Sequence, residues 1–150
     1  MSFYLIGEKR WIDLKRARRY RLSTPGPYLP AVTVTHYDDD YELTLDILPD
    51  SPNTAWRNVS FRGYADYMSS TEFEHGLTQL LKAASCAPTA MMCAEAVWWR
   101  CHRSMIADAL CARGIEVMHI LDAKHSMVHP MTAPARIVRG ELTYATAQSG

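Results

Sequence analysis

The feature that most constrains the fold is a strand–helix–strand pattern at residues 89–120. TAMMC at 89–93 and IEVMHI at 115–120 have the length and apolar composition of buried strands. The stretch between them, about 101–113, carries apolar residues at helical spacing, and Gly114 follows as a typical C-terminal cap. Strand, helix and strand at this length predict a βαβ unit with parallel strands and a right-handed crossover.

The rest of the chain supplies further elements around this unit. Apolar residues at helical spacing predict helices at about 60–68 and 71–85, with Ser60 as the N-cap of the first. Alternating, β-branched segments separated by an acidic loop predict a β-hairpin at about 31–48. FYLI near the N-terminus and ARIV-RG-ELTYA near the C-terminus indicate a short strand and a small hairpin. The predicted fold class is therefore α/β, with a Rossmann-like partial parallel sheet.

The pattern changes near residue 50, which divides the chain into two regions. Residues 1–49 are irregular and β-rich, whereas residues 50–150 alternate helix and strand. A chain of 150 residues that is 48% apolar suits one compact domain, so we expect both regions to share a core.

The formal net charge of zero gives no general argument for nucleic acid or acidic membranes as partners. Residues 9–21 are nevertheless strongly basic and residues 38–50 strongly acidic. Such runs usually form solvated faces, although the basic one could contact a phosphate polymer. No segment has the unbroken apolar length of a membrane span, and the first residues lack the layout of a signal peptide. These features predict a cytoplasmic protein with reduced cysteines and no membrane partner.

Reactive side chains crowd the turn of the predicted βαβ unit, in the sequence MMCAEAVWWRCHRSMIADAL at 91–110. Ligands of open α/β sheets bind at the carboxyl ends of parallel strands, which is where this turn would lie. A helix beginning near residue 101 would present free backbone N–H groups and a positive dipole end to an anion. A positive field also stabilises a thiolate, and a histidine can shuttle protons near neutral pH. The candidate catalytic residues are Cys93, Glu95, Cys101 and His102.

Basic and aromatic side chains near this turn predict a binding pocket for an anion. Guanidinium groups add charge-assisted donors to phosphate or carboxylate groups. The candidate anion-binding residues are Arg103, Arg100, Arg57 and Arg62, and the candidate pocket walls are Tyr64, Tyr67 and Trp98. A structural interpretation stands beside this one, since a cysteine ending an apolar strand, a tryptophan under a loop and a histidine at a helix start are ordinary features.

Metal binding is a second interpretation of the same residues. Cys93, Cys101 and His102, together with His119 or His125, offer soft ligands. Their spacing matches no standard zinc pattern, so no metal site is assigned. A P-loop and a dinucleotide glycine fingerprint are absent from the sequence, and no cofactor is assigned.

Three stretches resemble an uncharacterised bacterial family known as domain of unknown function 488. They are SPNTAWRNVSFRGYADYM, MMCAEAVWWRCHRSMIADAL and RGIEVMHIL, and the resemblance covers about residues 50–144. It implies a single α/β domain without a settled activity. The family's motif positions fall on Cys93, Glu95, Cys101, His102 and Arg103, with a second cluster on Ser60, Phe61, Tyr64, Tyr67 and Met68. The family's N-terminal strand-and-turn motif is not legible in residues 1–49.

These observations lead to three hypotheses, and the sequence leaves open whether the protein is an enzyme. The first is an α/β domain with a cysteine-containing anion or phosphate pocket at 93–103, either catalytic or nucleotide-handling. The second is a non-catalytic module that binds nucleic acid through its basic residues. The third is a structural or oligomerising protein, in which a second copy covers the sheet edge.

Overall fold

The computed structural model describes residues 2–7, 47–86, 89–93, 97–122 and 124–146, with only the backbone described for 2–7, 92 and 93. Within these ranges the chain contains three α-helices and six strands. The predicted basic segment at 9–21, most of the predicted hairpin at 31–48, and Glu95 lie outside the described residues.

The three helices lie close to the predicted positions. Helix α1 spans Val59–Tyr67, and its N-cap is Asn58, not Ser60, because the Asn58 side chain accepts the Phe61 N–H at 3.1 Å. Helix α2 spans Thr71–Cys86 and helix α3 spans Arg103–Ala112. Gly114 follows α3 with a φ of 75°, the left-handed conformation that commonly ends a helix.

The main sheet has four strands in the order β2-β1-β3-β4. Its strands are β1 (Ser2–Gly7), β2 (Thr89–Cys93), β3 (Glu116–Ile120) and β4 (Ser126–Val128). Strand β1 pairs in parallel with both β2 and β3, whereas β4 pairs with β3 in the antiparallel direction. A separate antiparallel pair consists of β5 (Arg136–Val138) and β6 (Glu141–Thr143). The predicted C-terminal hairpin is thus confirmed.

The predicted Rossmann-like parallel sheet with its βαβ unit is wrong. The strands at 89–93 and 116–120 do not pair with each other, because β1 lies between them. The sheet is also mixed rather than parallel, and the second sheet is a short antiparallel pair. The loop between β3 and β4 is too short for a crossover, so β4 can only return antiparallel to β3. The protein keeps helices and strands in one α/β arrangement without the Rossmann-like pattern.

Helix α3 lies at the centre of the described core. Its Met105 and Leu110 are fully buried, as is Val117 of β3. One apolar cluster joins α3 and β3 to α2, and a second joins Met105 to α1 and to Tyr144 after β6. Because both clusters share α3, this helix contacts apolar neighbours on most of its circumference, and any polar residue on it must find a partner inside the protein. None of the helices in the described ranges has the length and apolar character needed to cross a membrane.

Candidate functional site

The central polar residue of the core is Asp108, in the middle of α3 and fully buried. Its Oδ1 accepts the Thr132 backbone N–H at 2.9 Å and lies 2.9 Å from His129 Nε2. Its Oδ2 accepts the hydroxyl groups of Thr132 at 2.5 Å and Tyr144 at 2.9 Å. A buried carboxyl group is costly unless it is hydrogen-bonded, and these contacts compensate for its desolvation.

A chain of hydrogen bonds leads from Asp108 to β3 through two histidines. The other ring nitrogen of His129, Nδ1, lies 2.7 Å from His119 Nε2. Because both Asp108 oxygens accept hydrogen bonds, His129 Nε2 carries a hydrogen and donates to Asp108. The direction of the His129 Nδ1–His119 Nε2 hydrogen bond depends on the protonation of the two rings. Asp108, His129 and His119 are called the relay below.

The His119 end of the relay contacts the turn of residues 93–103, which the sequence predicted as a site. His119 is 1% exposed, and the Trp98 ring stacks on its imidazole with centroids 4.2 Å apart and planes inclined by 21°. His119 Nδ1 is buried without a hydrogen-bond partner among the described residues. Buried polar atoms in this state are rare and call for an explanation such as a bound ligand or a chemical role.

The surroundings of His119 favour its neutral form. Burial, followed by the neighbouring His129 and Arg103, lowers the pKa of His119 to about 4. At neutral pH His119 is therefore neutral and carries one ring hydrogen, and the tautomer with that hydrogen on Nε2 has Nδ1 as an acceptor. Arg103, the first residue of α3, is itself 4% exposed. The relay and a buried cation thus lie close enough to influence each other electrostatically.

The start of α3 differs from the anion site that the sequence predicted. The Arg103 N–H donates to Cys101 Sγ at 3.5 Å, and the Ser104 N–H donates to the Cys101 carbonyl at 3.0 Å. The Met105 N–H donates to the His102 carbonyl at 2.9 Å. The amide groups at this end already have acceptors, contrary to the expected free donors. An anion at this turn would have to be bound by side chains.

His102 faces α1 instead of the relay. Its ring stacks on Tyr64 with centroids 4.5 Å apart and also contacts Phe61 at 4.9 Å. Its Nε2 lies 3.2 Å from the Ser60 hydroxyl oxygen, and burial lowers the pKa of His102 despite this hydrogen bond. Tyr64 also contacts Tyr67, and burial raises the pKa of the Tyr64 hydroxyl far above its usual range. The two motif clusters implied by the family resemblance therefore meet at His102.

The remaining predicted anion-binding residues do not converge in the described part of the chain. Arg62 donates to the Ser51 hydroxyl and carbonyl oxygens, at 3.3 and 3.2 Å. Arg57 lines a separate cleft with Arg136, and Arg100 is exposed at the end of a short 3₁₀ helix. Cys93 is described in its backbone alone, at the end of β2.

The described residues also give no support to the metal interpretation. They contain no group of three histidine, cysteine or acidic side chains arranged to hold an ion. His119 points one nitrogen at His129, and His125 forms an exposed pair with Asp122 at 2.7 Å.

Sequence reasoning missed most of the relay, although two signals for it were present. Asp108 lies three residues after Met105, on the apolar face of α3, where an acid is unexpected. His119 lies two residues after Val117, on the same inward face of its strand, and had been considered only as a metal ligand. Three further residues, His129, Thr132 and Tyr144, come from loop segments without a periodic pattern.

The fold and site define an α/β domain with a buried Asp–His–His relay. Comparison with known proteins identifies the region around its central turn: the family model described as "Domain of unknown function DUF488" matches residues 38–110. The resemblance expected from the sequence is thereby confirmed, although the matched range begins and ends earlier than the expected 50–144. No curated protein and no solved structure matches the chain.

Proposed function

We propose that the protein is an enzyme that transfers protons to and from a small anionic ligand at the turn of residues 93–103. His119 is the proton acceptor, and Arg103 binds the phosphate or carboxylate group of the ligand. The observation that carries this proposal is the buried Nδ1 of His119, which ends the relay without a hydrogen-bond partner among the described residues. Trp98 belongs to the turn and lies directly on this imidazole, which links the relay to the predicted pocket.

The relay suits proton transfer because each member supports the next. When His119 Nδ1 gains a proton, its Nε2–H still donates to His129, and His129 still donates to Asp108. The Asp108 carboxylate then stabilises the positive charge through two rings, as a carboxylate behind a catalytic histidine does in other enzymes. A hydroxyl group or a water molecule is a suitable proton donor, since its deprotonation produces a nucleophile.

Arg103 couples ligand binding to the basicity of His119. A base with a pKa of about 4 is weak at neutral pH, and the Arg103 charge contributes to this low value. An anion bound beside Arg103 would bring a negative charge close to His119 and raise its pKa toward the working pH. The proposed enzyme therefore acquires its proton acceptor when its ligand is bound, which suits general base catalysis.

The cysteines take a secondary part in this proposal. Cys101 is 7% exposed, and its sulfur accepts the Arg103 N–H, so we assign it a role in positioning the start of α3. Cys93 keeps its predicted role as nucleophile or pocket wall, and Glu95 its predicted role as acid or base. Nucleotides remain candidate ligands because they carry phosphate groups.

A non-catalytic function is the competing proposal, and one observation favours it. Asp108 also accepts hydrogen bonds from Thr132 and Tyr144, so it connects the C-terminal segments to α3 independently of the two histidines. In that case the relay is structural, and binding of nucleic acid or a second copy is the remaining function.

Nuclear magnetic resonance of histidine-labelled protein distinguishes the two proposals. The pKa of His119 is measured in the protein without ligand and again with inorganic phosphate or pyrophosphate. The same titration of His75→Gln, which replaces an exposed histidine of α2, serves as the matched control. We expect the pKa of His119 to rise on anion binding while the His125 signal stays unchanged. A His119 signal that does not respond to saturating anion contradicts the proposed coupling.

Activity supplies the second test. Phosphate and carboxylate esters are screened with the wild-type protein, His119→Gln and His75→Gln. Loss of a general base typically lowers the rate by about 10²–10⁴-fold, and we expect this loss for His119→Gln alone. Equal rates for His119→Gln and the wild-type protein, or no hydrolysis by either, would favour the structural relay.

A further inference from the structure

A second concave site lies between two loops away from the 93–103 turn. It is a cleft of about 450 Å³, within the range of small-ligand pockets. Its lining residues come from three segments of the chain: Thr54 and Arg57, Pro134 and Arg136, and Thr146. No lining residue belongs to the 93–103 turn, so this cleft is distinct from the site proposed above.

Hydrogen bonds hold the walls of the cleft in place. The Ala55 N–H donates to the Tyr144 carbonyl at 2.9 Å, which joins the 54–57 loop to the segment after β6. The hydroxyl oxygens of Thr54 and Thr146 lie 2.9 Å apart, and the Thr146 N–H donates to Thr54 Oγ1 at 3.3 Å. In the segment of Pro134 and Arg136 the Ala135 N–H donates to the Thr132 carbonyl at 2.9 Å. A cleft with fixed walls loses little entropy on binding.

The charge of the cleft is wholly positive. Arg57 and Arg136 are exposed, and no acidic residue is among the lining residues, all of which are described. Neither guanidinium forms a salt bridge with a carboxylate of the described ranges. Two uncompensated guanidinium groups on one concave surface stand out in a chain whose net charge is zero.

We propose that this cleft binds a small molecule with phosphate or carboxylate groups. Guanidinium groups bind such anions through paired, charge-assisted hydrogen bonds, and the cleft offers two of them. The threonine hydroxyls add neutral donors at the edge. The lining includes residues after Thr132, which donates to Asp108, so a ligand here would contact the segment that holds the relay.

Calorimetric titration with inorganic pyrophosphate tests the cleft. We expect the cleft to contribute one saturable binding site in the wild-type protein, about tenfold weaker in Arg57→Gln or Arg136→Gln and lost in the double variant, which keeps only the binding at the 93–103 turn. Lys82→Gln, an exposed residue of α2, removes the same charge elsewhere and should bind as the wild-type protein does. Arg100→Gln removes a charge from the 93–103 turn and should likewise leave binding at the cleft unchanged.

Two outcomes would overturn the proposal. The first is a double variant that binds pyrophosphate with the same number of sites and the same affinities as the wild-type protein, or a wild-type protein that does not bind it. The second is a cleft that binds a single-stranded oligonucleotide but not pyrophosphate, which would make the arginines contacts for a nucleic-acid backbone. In the double variant, where the cleft no longer binds, the His119 signals report on the turn alone, so failure of the cleft is separable from failure of the proposed enzyme.

Discussion

Two buried carboxyl groups, Asp66 and Asp108, organise separate polar networks in this protein, and the networks end differently. Asp66 in α1 accepts from the Ser51 hydroxyl, the Asn53 amide and the Leu48 N–H at 2.6 to 3.0 Å. Burial raises the pKa of Asp66, but these hydrogen bonds and the nearby Arg62 outweigh it and lower the pKa. The Ser51 hydroxyl also accepts from Arg62, and none of the buried side-chain atoms described in this network lacks a partner, so the Asp66 network is called closed.

The Asp108 network is called open because it continues through two imidazole rings to His119 Nδ1, which has no hydrogen-bond partner within the described part of the chain. A closed network fastens a loop to a helix and needs no further explanation. An open network ends, in the residues that the structure describes, at a buried atom without a partner, which stability alone does not favour. Burial of a carboxyl group therefore does not identify a functional site, whereas the far end of its hydrogen-bond chain can.

The largest expected effect is the loss of Asp108. Asp108→Ala leaves donors of His129, Thr132 and Tyr144 without an acceptor in a fully buried place. We expect the free energy of unfolding to fall by about 3–5 kcal/mol, measured by urea denaturation. A fall below 1 kcal/mol would mean that water replaces the carboxylate, and the network would then not be buried in solution.

The second prediction is a pH dependence of the free energy of unfolding that arises from His119 in the Asp108 network. The pKa of His119 is about 4 in the folded protein and about 6.5 in an unfolded chain. The unfolded state therefore binds more protons between these values, and stability is lost as the pH falls from about 6.5 to 4. We expect wild-type protein to lose about 3 kcal/mol more than His119→Gln over this range. Parallel pH profiles for the two proteins would contradict the buried neutral histidine.

Removal of the closed network should cost less. Asp66→Ala leaves three donors without their acceptor, but Leu48 is 55% exposed, so water can reach that side. We expect a loss of about 2 kcal/mol in the free energy of unfolding, without any change in the pKa of His119. If Asp66→Ala changed the His119 titration, the two networks would be coupled and the contrast between them would fail.

The smallest effect concerns the rim of the closed network. Arg62→Gln removes two donors to Ser51 from a half-buried side chain. A loss of about 1 kcal/mol is expected, since solvent can replace these bonds. Arg57→Gln, an exposed neighbour, is the matched control and should unfold as the wild-type protein does in the same denaturation experiment. An equal loss in the free energy of unfolding for both variants would mean that removal of a positive charge, and not loss of the bonds to Ser51, causes the effect.

The sequence predicted the helices and strands well because their apolar periodicity is local. β2 occupies the predicted residues 89–93, and α2 extends one residue beyond the predicted 71–85. The pairing of β1 between β2 and β3 was not predictable in this way. It joins Phe3 to Thr89 and to Val117, and no local pattern reports contacts across such separations.

The candidate site was predicted only in part, because local sequence patterns indicate the turn but not the tertiary contacts around it. Trp98 and Arg103 belong to the turn and were singled out by the concentration of reactive residues there. His129 and Tyr144 reach Asp108 only after the chain has passed through β3 and the C-terminal hairpin. Single histidines and tyrosines in loops carry no signal until tertiary contacts bring them together.

The central place of β1 also has a consequence for the order of folding. β1 precedes both of its partners in the chain, so during translation it must wait until β2 and then β3 have been made. Contacts of such high contact order form slowly, because a long loop must close before they contribute. In the meantime β2 and β3 would each expose an unpaired edge, where strands of other chains can add. Assembly of this sheet is therefore the step at which the newly made chain is most vulnerable to aggregation.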